Sequence, residues 1–189
     1  MDSAYLRLIS NYTTQKNQTY CGVASSVMVL NALHIHPKDL LFGKYAYFDQ
    51  DNFFTPAILQ QVSLKQIETK GLTLDQLGMI WKNYPLKVSV VHAQPKGYDE
   101  FEHDLQNFKH HPDQYLIINF LRTKLGQAGG GHFSPIAAYD PKTNEVLLVD
   151  VARYKYLPYW VGTHDLWEAM TTIDSDSKKN RGYILIQNG

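Results

Sequence analysis

One cysteine, Cys21, stands in a chain of 189 residues, so no disulfide forms within it and no cysteine-rich metal site is built from it. Net charge is also missing, because 18 Lys+Arg balance 18 Asp+Glu. Without a broad positive field the chain lacks the footprint of a nucleic-acid binder. No stretch approaches the roughly 20 apolar residues that span a bilayer, so no membrane partner is expected either. The first thirty residues lack the basic start and apolar run of a secretory signal. A lone reduced cysteine points to a cytoplasmic setting, with a removed export segment upstream of Met1 left open. No repeat, low-complexity tract or Pro/Ser-rich linker marks a boundary, so residues 1–189 are read as a single domain.

What is present is globular: 44% hydrophobic, 19% charged and 13% aromatic residues, with 13 tyrosines. A chain of this length can bury about 70% of the surface exposed by its unfolded form, enough for a core and a cleft. The first twenty residues are polar and read as a looped lead-in. Cys21 to Leu33 carries apolar residues almost all round and reads as a helix buried on most sides. Thr55-Pro56 starts a second helix, with Pro at its first position. Thr73 with Gln76 is a capping-box pattern ahead of Leu74, Leu77, Ile80 and Trp81. Leu86 to Ala93 reads as a strand and Tyr98 to His110 as a polar surface helix. Strands are then expected at Tyr115–Leu121, His132–Tyr139 and Glu145–Val151, the last two joined as a hairpin by Asp140-Pro141-Lys142-Thr143-Asn144. Thr163 caps a short helix through Met170, and Tyr183 to Ile186 is a last strand. A helical first half and a strand-rich second half predict an α+β chain of two packed lobes with a site between them.

Cys21 opens the buried helix, where unpaired N–H groups and the positive dipole end favour a thiolate. Most lone cysteines are inert core residues, so position alone decides nothing. His132 follows Gly129-Gly130-Gly131, which clears side chains from the approach to its ring. The remaining histidines (His34, His36, His92, His103, His110, His111, His164) sit in polar or turn-like settings without HxxxH spacing and read as surface residues. His34 and His36 lack a third ligand, so no metal site is assigned. Asp150 ends its strand while His132 begins the partner strand. The hairpin therefore makes them neighbours, and a carboxylate there would orient the imidazole. A side-chain amide ahead of Cys21 could donate to an oxyanion beside the Cys21 N–H; Gln15 and Gln18 both qualify by position.

These residues resemble the phytochelatin synthase family of papain-like cysteine peptidases. The resemblance rests on 17–25 (NQTYCGVAS), 129–136 (GGGHFSPI), 150–156 (DVARYKY) and 174–177 (DSDS). It implies a papain-like fold, with the helix carrying the nucleophile packed on an antiparallel sheet lobe. It further implies Cys21 as nucleophile, His132 as general base and acid, Asp150 as orienting carboxylate and Gln15 as oxyanion donor. Glutathione would be the donor and potential acceptor: it loses its glycine, and the γ-glutamylcysteinyl group passes to a second glutathione or to water. Asp174 and Arg181 would hold the γ-glutamyl end, an ammonium suiting a carboxylate and a carboxylate suiting a guanidinium fork. Gly131 would flank the substrate, and Arg153 and Tyr156 would line the acceptor side. The chain looks like the short, prokaryotic-type form without a C-terminal cysteine-rich region, which tilts the expectation toward hydrolysis. No cofactor is expected on the protein; cadmium or zinc would arrive as a glutathione thiolate complex. A homodimer is left open. The alternatives are a papain-like peptidase acting on other peptides, and a non-catalytic thiol- or metal-binding module.

Overall fold

The computed structural model describes residues 3–38 and 46–188. Its centre is α2 (Cys21–Ala32), in which every residue except Asn31 is buried. Val23, Ala24, Val27, Met28 and Leu30 face different directions on this helix, so it must be enclosed on all sides. One face lies against β3 (Gly131–Asp140), where the Ser25 hydroxyl donates to the Phe133 carbonyl. Another lies against α5 (Leu74–Trp81), whose buried Trp81 donates its indole N–H to Ser26. Thr73 and Gln76 do close a capping box on α5.

Six antiparallel strands form one sheet in the order β1-β6-β2-β3-β4-β5. They are β1 (Leu86–His92), β2 (Gln114–Leu121), β3, β4 (Glu145–Leu148), β5 (Tyr159–Gly162) and β6 (Gly182–Asn188). With seven α-helices among the described residues, the chain is α+β as expected. β2 and β3 are buried along almost their whole length, because helices cover the sheet at its centre. No helix among the described residues is long and apolar enough to cross a membrane.

Several local expectations need correction. Residues 3–10 form α1 (Ser3–Ser10) rather than a loop, because Ala4 and Leu8 are fully buried and Tyr5 and Ile9 pack beside them against the core. α3 (Pro56–Gln61) is capped by Thr55 as expected, and α4 (Leu64–Lys70), capped by Ser63, and β5 add to the expected elements. α6 (Tyr98–His110) is polar only outwardly; Phe101, Leu105 and Phe108 bury its inner edge. α7 (Thr163–Met170) has Gly162 at its N-cap, and the buried Thr163 hydroxyl bonds to Tyr98 instead of capping. β4 stops at Leu148 rather than Val151, so Asp150 lies beyond the strand. His92 is half-buried, bonded through Nε2 to Asp75 and through Nδ1 to the Asn180 carbonyl, so it is not a free surface histidine.

Candidate active site

Cys21 is the first residue of α2, and only 8% of its surface is exposed. The His132 ring and the Phe133 and Gly22 N–H groups act on its sulfur in favour of the thiolate. Burial pushes this thiol up. The hydrogen bond and charge of His132, with the two backbone donors, outweigh burial and leave the pKa below the ordinary thiol value.

His132 is the second residue of β3 and is nearly fully buried. Burial would push its pKa down, but Asp150 and Cys21 raise it. Its Nε2 lies 2.9 Å from Asp150 Oδ1, which leaves Nδ1 for the sulfur. A depressed thiol beside a raised imidazole is the signature of a thiolate–imidazolium pair.

Asp150 reaches His132 although β4 has ended. After Leu148, Val149 makes one more hydrogen bond to the Pro135 carbonyl, so the chain still runs alongside β3 toward His132. The Tyr12 hydroxyl then holds the Asp150 carbonyl at 2.6 Å, and Asp150 Oδ1 accepts the Ala152 N–H at 2.8 Å. Burial opposes ionisation of this carboxyl. The bond and charge of His132, the charge of Arg122 and the Ala152 N–H overcome that and hold it below the usual aspartate range.

Arg122, which carries no local sequence signal, is built into this arrangement. It is 3% exposed and starts the short 3-10 turn Arg122–Leu125 after β2. Nη2 lies 2.8 Å from both Asp150 carboxylate oxygens, Nη1 donates to Gln127 at 2.6 Å, and the guanidinium stacks 4.9 Å over the Tyr156 ring. A charged residue following a hydrophobic strand normally reads as a solvated loop, so only its burial exposes the role. Gly129 sits against the Arg122 stem with φ +121, a conformation and a closeness that together demand glycine.

A cavity of about 150 Å³ is lined by Cys21, Asn119, Gly131, Asp174, Asp176 and Arg181, among others. Arg181 Nη2 lies 3.5 Å from Asp174 Oδ1, and Nη1 donates to Asn119 at 3.3 Å. Arg181 Nε is buried with no partner among the described residues. The guanidinium lies so close to Gly131 that any Cβ there would overlap it. Asp174 is fixed by the Ser177 hydroxyl and the Asp176 N–H, inside an excursion closed by the Ile173–Asn180 bridge. The cavity thus brings the Cys21 sulfur together with the Asp174 and Asp176 carboxylates and the Arg181 guanidinium.

Gln15 is buried, and its backbone N–H is bonded to the Val151 carbonyl. Its Nε2 donates to the Asn17 carbonyl at 2.7 Å and to the Tyr154 hydroxyl at 3.0 Å. Gln18, the other amide considered, is exposed at the cavity rim. Arg153 and Tyr156 do not line the Cys21 cavity. Arg153 stacks 4.3 Å over the Tyr12 ring, and the Tyr156 hydroxyl accepts the Ala128 N–H at 2.7 Å, on the Asp150–Arg122 side. No group of three or more His, Cys, Asp or Glu among the described residues is placed to hold a metal ion.

A family model described as phytochelatin synthase matches residues 1–183. A protein of Lotus japonicus named glutathione gamma-glutamylcysteinyltransferase 3 is 34% identical over 96% of this chain and 37% of its own length. The glutathione gamma-glutamylcysteinyltransferase of Schizosaccharomyces pombe is 32% identical over 97% of this chain and 43% of its own. An Arabidopsis thaliana protein, glutathione gamma-glutamylcysteinyltransferase 1, is 34% identical over 96% and 36% respectively. The chain therefore spans about two fifths of the length of these curated relatives.

Proposed function

We propose that this chain, which belongs to the phytochelatin synthase family, is a papain-like transferase and hydrolase that uses glutathione as its γ-glutamylcysteinyl donor. The observation that carries this reading is the shared cavity: the ionisable Cys21 sulfur opens onto the same space as the Asp174 carboxylate and the Arg181 guanidinium. A γ-glutamyl end carries an ammonium and a carboxylate on one carbon, and that pair of side chains complements both. The papain-like assignment is supported by a nucleophile helix packed on an antiparallel sheet that carries the histidine, with the aspartate just beyond the next strand.

In this mechanism the Cys21 thiolate attacks the carbonyl carbon of the Cys–Gly bond. The oxyanion is stabilised by the Cys21 N–H and a Gln15 N–H; a donor of this kind is worth about 2.7–4 kcal/mol in other enzymes. Collapse breaks the C–N bond, and His132 gives its proton to the departing glycine amine. The γ-glutamylcysteinyl group is left as a thioester on sulfur. His132 then removes a proton from water or from the α-amine of a second glutathione, whose attack releases free γ-glutamylcysteine or the lengthened peptide. Asp150 fixes the ring tautomer and stabilises the imidazolium throughout. Cadmium or zinc takes part as a glutathione thiolate, and hence as substrate. Water is always at hand, and transfer needs an acceptor pocket that excludes it. With glutathione alone, glycine release therefore exceeds oligomer formation. Incubation with glutathione, with and without cadmium, followed by product masses tests this. Indifference to glutathione with cleavage of unrelated peptides would sink the proposed substrate, and oligomers as the main product would sink the hydrolytic emphasis.

A further inference from the structure

The Gln15 amide has two N–H groups, and both already have partners within the chain. One donates to the Asn17 carbonyl at 2.7 Å, which can only accept and so fixes the orientation of the amide. The other meets the Tyr154 hydroxyl at 3.0 Å, while Gln15 Oε1 has no partner among the described residues. An oxyanion bound by Gln15 must replace one of these partners. The Asn17 carbonyl belongs to the main chain leading into α2 and also accepts the Tyr20 N–H, so it stays. Tyr154 sits on the exposed turn after Asp150, and 55% of its surface faces solvent. Its hydroxyl oxygen lies at the distance at which an oxyanion is held by a donor, 2.7–3.1 Å.

We infer that Tyr154 is a gating residue for the oxyanion site: its hydroxyl occupies the second N–H of Gln15 and is displaced by the scissile carbonyl oxygen when substrate enters. The inference rests on the oxyanion role proposed above for Gln15. It adds a competitor built into the chain, whose removal favours the substrate.

Tyr154→Phe removes only the hydroxyl from an exposed ring, so the fold is kept. Glycine release from glutathione, measured on the full chain, should show KM falling about two- to tenfold with kcat unchanged, the range expected for one displaced hydrogen bond. Free enzyme loses a stabilising contact that neither the substrate complex nor the transition state contains. In a Gln15→Ala background the same substitution should change nothing, because no N–H remains to be freed. A fall in kcat at constant KM would overturn the inference, since the phenol would then be donating to the oxyanion. So would unchanged constants in Tyr154→Phe while Gln15→Ala is slow, and this outcome leaves the Gln15 role standing. Gln15→Ala at the parental rate would remove the oxyanion role and the gate together.

Discussion

Replacing Arg122 with methionine isolates the charge that the Asp150 carboxylate depends on. Both partners are buried, Arg122 at 3% exposure and Asp150 at 0%, so solvent screening barely weakens their contact. Removing one member of such a pair strands the other, at a cost of about 3–5 kcal/mol. Methionine keeps much of the side-chain volume but loses the Gln127 bond and the contact with the Tyr156 ring. The loss therefore divides into a charge part and a packing part, and pH separates them. Asp150 is depressed in the folded state, so its stabilisation is fully present above the unfolded value of about 3.9 and is lost as pH falls through the folded pKa. Without Arg122 the carboxyl takes up its proton at a higher pH than in the parent. Below both values the carboxyl is neutral in both proteins, and in the parent the buried guanidinium has lost its counter-charge. Urea unfolding should show the variant about 3–5 kcal/mol less stable at pH 7, with the gap narrowing as pH falls below the aspartate range. A gap that stays constant with pH, or one below about 1 kcal/mol at pH 7, would refute the claim that Arg122 acts through the charge of Asp150.

Because His132 favours the thiolate of Cys21 and Cys21 favours the protonated ring of His132, the two are expected to rest as an ion pair. Iodoacetamide should then label Cys21 rapidly well below the free-thiol pKa of about 8.5. Turnover should fall on the acid side as the sulfur protonates and on the alkaline side as His132 loses the proton owed to the leaving amine. In His132→Ala, burial is opposed only by the Phe133 and Gly22 N–H groups and labelling should move to higher pH; an unchanged labelling profile would deny the pairing. Gly131→Ala places a methyl group where the Arg181 guanidinium lies. KM for glutathione should rise about tenfold or more, as expected for a lost charge-assisted contact, while Cys21 labelling stays the same. An unchanged KM would remove Arg181 from substrate binding.

The triad candidates were legible because each carried a local signal: a cysteine opening an apolar helix, a histidine after three glycines, an aspartate beyond a hairpin. Asp150 does neighbour His132, but from beyond the strand rather than at its end. β4 ends at Leu148, and the single further bond from Val149 to Pro135 carries Asp150 to His132. Arg122 and Tyr154 gave no such signal. An arginine after a hydrophobic strand and a tyrosine in a charged loop look solvated until tertiary contacts place one against Asp150 and the other against Gln15. α1 is hidden in the sequence for a related reason. Ala4 and Leu8, with Tyr5 and Ile9 beside them, dock a short helix that tertiary packing rather than local sequence holds in place.

Rapid acid quenching of the protein during turnover of glutathione, followed by intact and peptide mass analysis, interrogates the proposed chemistry at its only covalent intermediate. The expected adduct has the mass of γ-glutamylcysteine less one water, sits on Cys21 as a base-labile thioester, and is absent in Cys21→Ser. Glycine release at the parental rate by Cys21→Ser, or an adduct on any other residue, would contradict the account.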